Sequence, residues 1–494
     1  MSAPASHRRH LIAPDLPAPG RAAVKGGIWG NYVDQINIFL PVTALAPALP
    51  ALAGRDAIAS SVAFVVMATL IGRPVGAMIF GRISDTLGRT STTRVAIAGT
   101  AACTFGIALI PDHTVIGSAS MALVIALRFI GGAFLAGEYT SAIPLAMEWS
   151  TPRERGRASG LIMSMAPWAQ ATIAFTTVGL LTALGPSDYA AWGWRMSFAA
   201  GGIASLAMLV YYTRHVADAP QYHREQDAMA ADSPQHHRDQ TTATVDASDR
   251  AASARRAPDR PASGHPSLAG PASAGPSRLG LPDLFWGAWA RSFWQVFALM
   301  SGLWIMTNMV VIVLTGRMVT DVGLTATQAS AAMGIASIGQ AVVMAFAGHL
   351  STRLGRRRFF VIWGLAALVG GPVLWWWITS SAHGWVAAGF AAAALHAVTV
   401  CAYGPVGAYI NERFPTSVRA TAYGTAYSLS IVVPALYPYY LPALENWLGH
   451  VGAPVALLAL GAVLVTVAGR LGPRLSPAEI DAELEEVANR HAAR

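Results

Sequence analysis

Apolar residues run through this chain in long blocks separated by short polar stretches. A bilayer core of about 30 Å needs about 20 apolar helical residues. Twelve blocks qualify: 27–50, 57–81, 92–110, 118–148, 157–183, 195–214, 292–316, 327–350, 358–380, 383–410, 418–442 and 452–470. They predict twelve membrane-spanning helices, six on each side of a polar stretch. Residues 215–284 form that stretch, rich in Ala, Ser, Pro, Asp, Arg, Gln and His, with no apolar face. Such a composition cannot bury a core. The expected organisation is a tail at 1–26, a six-helix bundle at 27–214, a flexible linker at 215–284, a second bundle at 285–470 and a tail at 471–494. In the last tail, Ser476, Pro477 and Glu479 form a capping-box start. Ile480, Leu484 and Val487 follow at helical spacing and predict a short amphipathic helix.

Composition agrees. Only 12% of the 494 residues are charged and 54% are hydrophobic. A soluble domain carries roughly 25% charge, so a soluble enzyme, a disordered protein and a nucleic-acid module are excluded. The net charge of +8 could suggest nucleic acid, but its placement argues otherwise. With the N-terminus cytoplasmic, 29 of the 34 Lys and Arg fall on the cytoplasmic side. That asymmetry is the positive-inside pattern and places both termini in the cytoplasm. The N-terminus lacks the apolar core of a signal peptide, so the first span is expected to act as its own insertion signal in a plasma (inner) membrane. Cys103 and Cys401 lie in apolar runs and make no disulfide framework. No metal or cofactor is expected: His223, His236, His237 and His265 read as solvated linker residues.

Two motifs recur. Gly81, Asp85, Gly88 and Arg89 join spans 2 and 3; Gly348, Thr352, Gly355 and Arg356 join spans 8 and 9, 267 positions on. Glu148, Arg155 and Gly160 recur as Glu412, Arg419 and Gly424, 264 positions on. The chain is thus a tandem repeat of two pseudo-symmetric bundles. In physical terms, Asp85 can cap a helix of the other half, and Arg89 and Arg155 can pair with Glu148. Together these residues form a candidate cytoplasmic gate. Thr352 stands where the first copy has Asp85, which predicts a weaker second latch.

The G-x-x-x-D-x-x-G-R loop resembles the signature of the major facilitator superfamily. Gly72-Arg73-Pro74-Val75-Gly76, the run Arg128 to Tyr139, and Trp192-Gly193-Trp194-Arg195 resemble its metabolite:proton symporter family; Asp218-Ala219-Pro220 is a weaker match. The P-E-S-P-R and P-E-T-K-G signatures of sugar porters are missing. The resemblance implies an all-α major facilitator fold, with substrate bound near the midplane and alternating access by rocking. Gly30 to Asn37 resembles the family's G-n-x-x-E-w-Y-D, with Asp34 on the Glu. Asn37 falls on the Asp that the resemblance implicates in proton coupling with the span-4 Arg, here Arg128. An amide cannot titrate, so Asp34 or Glu138 is expected to carry the proton. A fixed Asp34–Arg73 pair is the alternative.

Charges inside a bilayer are costly and are functional candidates by default. At 1.5 Å per residue, Asp34, Glu138 and Arg73 lie roughly 13, 15 and 18 Å from one membrane edge. Arg128 lies further out. Cationic groups at a cavity favour carboxylates, so the expected substrate is an organic acid or zwitterion, with Arg128 preferred over Arg73 as its anchor. Further candidates are Trp168, Gln170, Asn308, Gln340, His396, Tyr403, Tyr423 and Tyr427. Trp375, Trp376 and Trp377 are expected at the membrane interface. The chain reads as a monomeric secondary transporter in a lipid bilayer, taking a small molecule and protons. The alternatives are a proton-linked exporter, a sugar or polyol porter, and a non-transporting sensor. No H-E-x-x-H, G-x-S-x-G or P-loop supports an enzyme or an ATP-driven pump.

Overall fold

In a computed structural model the chain is described over residues 16–48, 52, 58–218, 281–380, 384–415 and 418–473. Each of the twelve apolar blocks falls on a helix or a broken helix. The first six are α1 (Ala18–Thr43), α2 (Ile58–Leu87), α3 (Arg89–Ala108), α4 (Ala119–Trp149), α5 (Arg155–Asp188) and α6 (Trp194–His215). The second six begin with α7 (Ala290–Thr307), α8 (Ala326–Leu354) and α9 (Arg356–Ser380). They end with α10 (Trp385–Val398), α11 (Arg419–Leu429) and α12 (Gly452–Leu471). A π-helical turn, Asn308–Val313, and the segment Leu314–Thr320 prolong α7. Most of the linker, including its four histidines and Pro220, and the C-terminal segment with Ser476 lie outside the described residues.

Among the described residues, seven helical stretches are long and apolar enough to cross a membrane, one of them, Arg155–His215, running α5 and α6 together, or eight with the bent pair Trp385–Val398 and Val400–Asn411. The α1, α3 and α11 passes fall short for physical reasons. Asn31, Asp34, Gln35 and Asn37 are buried in α1. In α3 the first turns carry Arg89, Arg94 and four threonines or serines. The eleventh pass is interrupted near Pro434 before the segment Tyr437–Leu448. The four polar residues of α1, and Arg89, Thr90, Thr92 and Thr93 of α3, are buried against protein, which is where polar groups at membrane depth are tolerated.

The repeat is visible in the backbone. Gly88 ends α2 with φ 99° and Gly355 ends α8 with φ 82°. Both turns need the left-handed region that glycine enters without strain. The halves meet along two seams, α2 against α11 and α5 against α8. At the second seam Gly156 and Gly160 lie against Gly348 so closely that a Cβ on Gly160 would meet the Ala345 carbonyl at 2.5 Å. Small residues let membrane helices approach to backbone contact. Gly160→Leu is therefore expected to lower uptake about tenfold or more by overpacking, with monodispersity in detergent retained. Unchanged uptake would contradict this seam. Trp375 departs from the expected interfacial belt. It is buried at 1% exposure, whereas Trp376 is 60% exposed. Adjacent helical positions point about 100° apart, so a run of three indoles cannot share one face.

Candidate functional site

The loop-motif end of the molecule holds the two halves together through ions. Asp85 accepts from the α11 backbone at Ala420 (3.2 Å) and Thr421 (2.9 Å), and from the Thr421 hydroxyl (2.6 Å). A carboxylate at a helix N-terminus meets unpaired N–H groups and the positive end of the dipole. Arg89 joins Asp85 (2.6 Å) to Glu148 (2.9 Å) within the first half. Arg419 of the second half reaches the same Glu148 oxygen at 3.3 Å. Arg155 directs its Nε to the Met147 carbonyl at 3.3 Å.

The second copy is built differently. Arg356 takes Glu412 in a two-pronged contact, 2.9 and 3.0 Å, and also donates to Ser351 and Thr352. This pair stays within one half. Among the described residues, Ser159 crosses between the halves here: it donates to the Gly404 carbonyl (2.7 Å) and accepts from the Ala408 amide (3.1 Å). The expected weak second latch is thus a close backbone seam with a serine bridge. Ser159 carries no sequence signal, because a serine inside a helix usually bonds its own backbone.

Deep in the bundle, Asp34 of α1 and Glu138 of α4 are both buried and near enough to act on each other, and Asp34 Oδ1 and Glu138 Oε1 have no hydrogen-bond partner. Gly30 makes the room: a Cβ there would stand 2.8 Å from the Glu138 Oε1. Arg73 of α2 lies near enough to act on Asp34 electrostatically.

Between the halves lies a cavity of about 90 Å³. At roughly 10–15 Å³ per enclosed water, it takes about six to nine non-hydrogen atoms. Of the candidates, Arg73, Gln170, Asn308, Gln340, Tyr403 and Tyr427 line it. The expected anchor Arg128 does not. Its Nη1 donates to the Asn37 carbonyl at 2.7 Å, and its guanidinium lies 5.1 Å from the Phe198 ring. The Asn37 side chain is itself bonded to Val33, Ser205 and Thr104. Helix rotation, invisible in a single apolar run, turns both residues into the first bundle. Trp168 is 37% exposed on the outer face, two residues and therefore about 200° around α5 from Gln170. His396 lies behind the cavity, fully buried, between Gln340 (2.7 Å) and the Val310 carbonyl (3.0 Å). It holds Gln340 in place. Tyr423 stacks on Tyr427, with centroids 6.1 Å apart.

A model of the sugar (and other) transporter family matches residues 37–471. The chain belongs to that family. Its relatives include the proline/betaine transporter of Escherichia coli K12, 24% identical over 403 residues, covering 80% of this chain and 71% of the relative. The glycine betaine/proline/ectoine/pipecolic acid transporter OusA of Dickeya dadantii is 24% identical over 406 residues, covering 81% and 71%. Among solved structures, the proton:xylose symporter XylE, of the major facilitator superfamily, superposes with a TM-score of 0.68. It is 18% identical, with 92% and 94% of the two chains covered. The fold is the major facilitator fold, and the protein is a membrane transporter, not an enzyme.

The transporter's cavity also contains residues that sequence reasoning passed over: Gln35, Thr69, Tyr139 and Trp304. Tyr139 directly follows Glu138, a position that could have flagged it. Trp304 sits in an unbroken apolar run and had no distinguishing signal. The rings of Tyr139, Trp304 and Tyr427 come from α4, α7 and α11, so only the closed fold unites them.

Proposed function

We propose that the transporter is a proton-coupled symporter of a small zwitterion, binding it between the halves and working by alternating access. The observation that carries this reading is the buried Asp34–Glu138 carboxyl pair beside a cavity whose lining cation is Arg73; two neighbouring carboxyls in a buried site favour holding one proton between them. Singly protonated, the pair balances Arg73; fully ionised, it leaves a net negative charge in a low-dielectric site. A carboxylate substrate engaging Arg73 changes that balance, which links substrate to proton. A single lining cation among the described residues, with aromatic neighbours, suits a zwitterion better than a polyanion. The cavity's size suits a molecule of proline or betaine dimensions, and relatives named for those substrates support the class. In this reading the loop-motif end and both termini face the cytoplasm of a bacterial inner membrane, and one chain is the working unit. The 215–284 linker joins the halves on that side.

A thermal-shift series on the purified transporter tests the substrate class, since a ligand that binds only the folded state raises its stability. Proline, glycine betaine or ectoine is expected to shift the transition in a concentration-dependent way. Stabilisation by xylose or glucose alone would overturn the proposal.

A further inference from the structure

Arg73 is held in an unusual manner for a buried arginine. Its guanidinium carbon lies 5.4 Å from the Tyr139 ring centroid, 5.5 Å from Tyr427 and 5.7 Å from Trp304. The side chain is 2% exposed, yet its Nε and Nη2 have no hydrogen-bond partner. Arg89 and Arg356 of the same chain instead fork onto carboxylates. The rings around Arg73 are mutually braced. Tyr139 and Tyr427 are 4.6 Å apart, and Trp304 meets Tyr427 edge-on at 5.5 Å. The Trp304 indole N–H is tied to the Tyr427 carbonyl at 3.3 Å, and Tyr403 backs it at 5.6 Å.

Three aromatic faces around one cation are the arrangement that recognises substituted ammonium groups. We propose that Tyr139, Trp304 and Tyr427 form an onium box for the substrate's ammonium group, and that Arg73 lies in it as a tethered substitute cation. The inference rests on the zwitterion reading and deepens it. An arriving onium displaces the guanidinium, whose unpaired Nε and Nη2 then take the substrate's carboxylate. Exchanging one cation for another in the box keeps binding reversible. It also sets selectivity by penalty. A cation without a carboxylate would evict Arg73 and leave it unpaired. A carboxylate without a cation would not evict it.

Three probes of similar size separate these cases on the purified full-length transporter by calorimetry: glycine betaine, its anionic isostere 3,3-dimethylbutanoate, in which a carbon replaces the ammonium nitrogen, and choline. The wild-type protein is expected to bind glycine betaine, with the isostere about tenfold weaker or worse and choline undetected. Arg73→Met vacates the box, so choline affinity is expected to rise about tenfold or more and betaine affinity to fall. Adding Tyr427→Leu should remove the choline gain. Arg73→Gln gives the same comparison if the Met variant does not fold. Wild-type betaine binding with no choline gain in either variant, or with an equally tight isostere, overturns the box and spares the zwitterion reading. A choline gain in a protein whose wild type binds neither proline nor betaine overturns the substrate reading and keeps the box.

Discussion

Glu138→Gln is expected to abolish uphill accumulation of substrate while leaving exchange of substrate across the membrane intact. Gln has nearly the shape of a protonated Glu and still donates to Asp34, but it cannot release a proton. The variant is thus fixed in the loaded form of the pair. A 1:1 symporter under a pH gradient of about one unit accumulates substrate about tenfold, since one unit is about 1.36 kcal/mol. The variant should lose that factor. Counterflow in proteoliposomes, which needs no net proton movement, should continue. The sign of the pH dependence follows: wild-type accumulation rises as external pH falls, and the variant's response is flat. Accumulation that survives in Glu138→Gln with its pH dependence would place the proton elsewhere.

The second large effect is expected at the latch. Glu148 receives Arg89 from its own half and Arg419 from the other. Glu148→Gln leaves two buried guanidinium groups short of their anion, and breaking a buried pair costs about 3–5 kcal/mol. The Arg89 share of that cost, within one half, lowers stability in every conformation, whereas the Arg419 share falls only on the conformation in which the loop-motif end is shut. The variant should therefore open at that end and transport poorly. Spin labels at Arg153→Cys and Arg353→Cys, both exposed on the two halves, report the opening as a longer, broader distance distribution. The natural thiols, Cys103 and Cys401, are buried and do not compete for label. Glu412→Gln is the internal comparison. Its partner Arg356 belongs to the same half, so this change should lower thermal stability with little change in the distance. Equal opening in the two variants would contradict the asymmetric latch. Asp85→Asn should follow Glu148→Gln in direction, with a smaller loss of transport, because the amide oxygen still accepts from Thr421.

Much of this architecture was legible in the sequence, for identifiable reasons. Apolar runs of helical length marked most of the passes outright, and those of α1, α3 and α11 more weakly, because buried polar residues interrupt their apolar pattern. The twofold repeat appeared through Gly88 and Gly355, where a positive φ demands glycine. Rise per residue placed Asp34, Glu138 and Arg73 at one depth, and the fold puts Asp34 against Glu138 with Arg73 beside them. Helix rotation was not legible. In a helix apolar on nearly all sides, no amphipathic face says whether Arg73 or Arg128 looks into the cavity, and the preferred anchor was the one turned away. Trp168 and Gln170 separated for the same reason. The aromatic box was hidden because its rings come from three helices in two halves. The Ser159 bridge was hidden because a helical serine has no signature of a distant partner.

Coupled movement of zwitterion and proton through the Arg73 cavity and the Asp34–Glu138 pair has a signature in proton flux. The most direct measurement is proton flux during substrate entry into proteoliposomes carrying a pH-sensitive dye inside. Adding glycine betaine or proline outside is expected to acidify the interior with wild-type protein and to leave the signal flat with Glu138→Gln, although both proteins exchange substrate. Substrate entry with no proton signal in the wild type, or an undiminished signal in the variant, would show that this pair does not couple the proton.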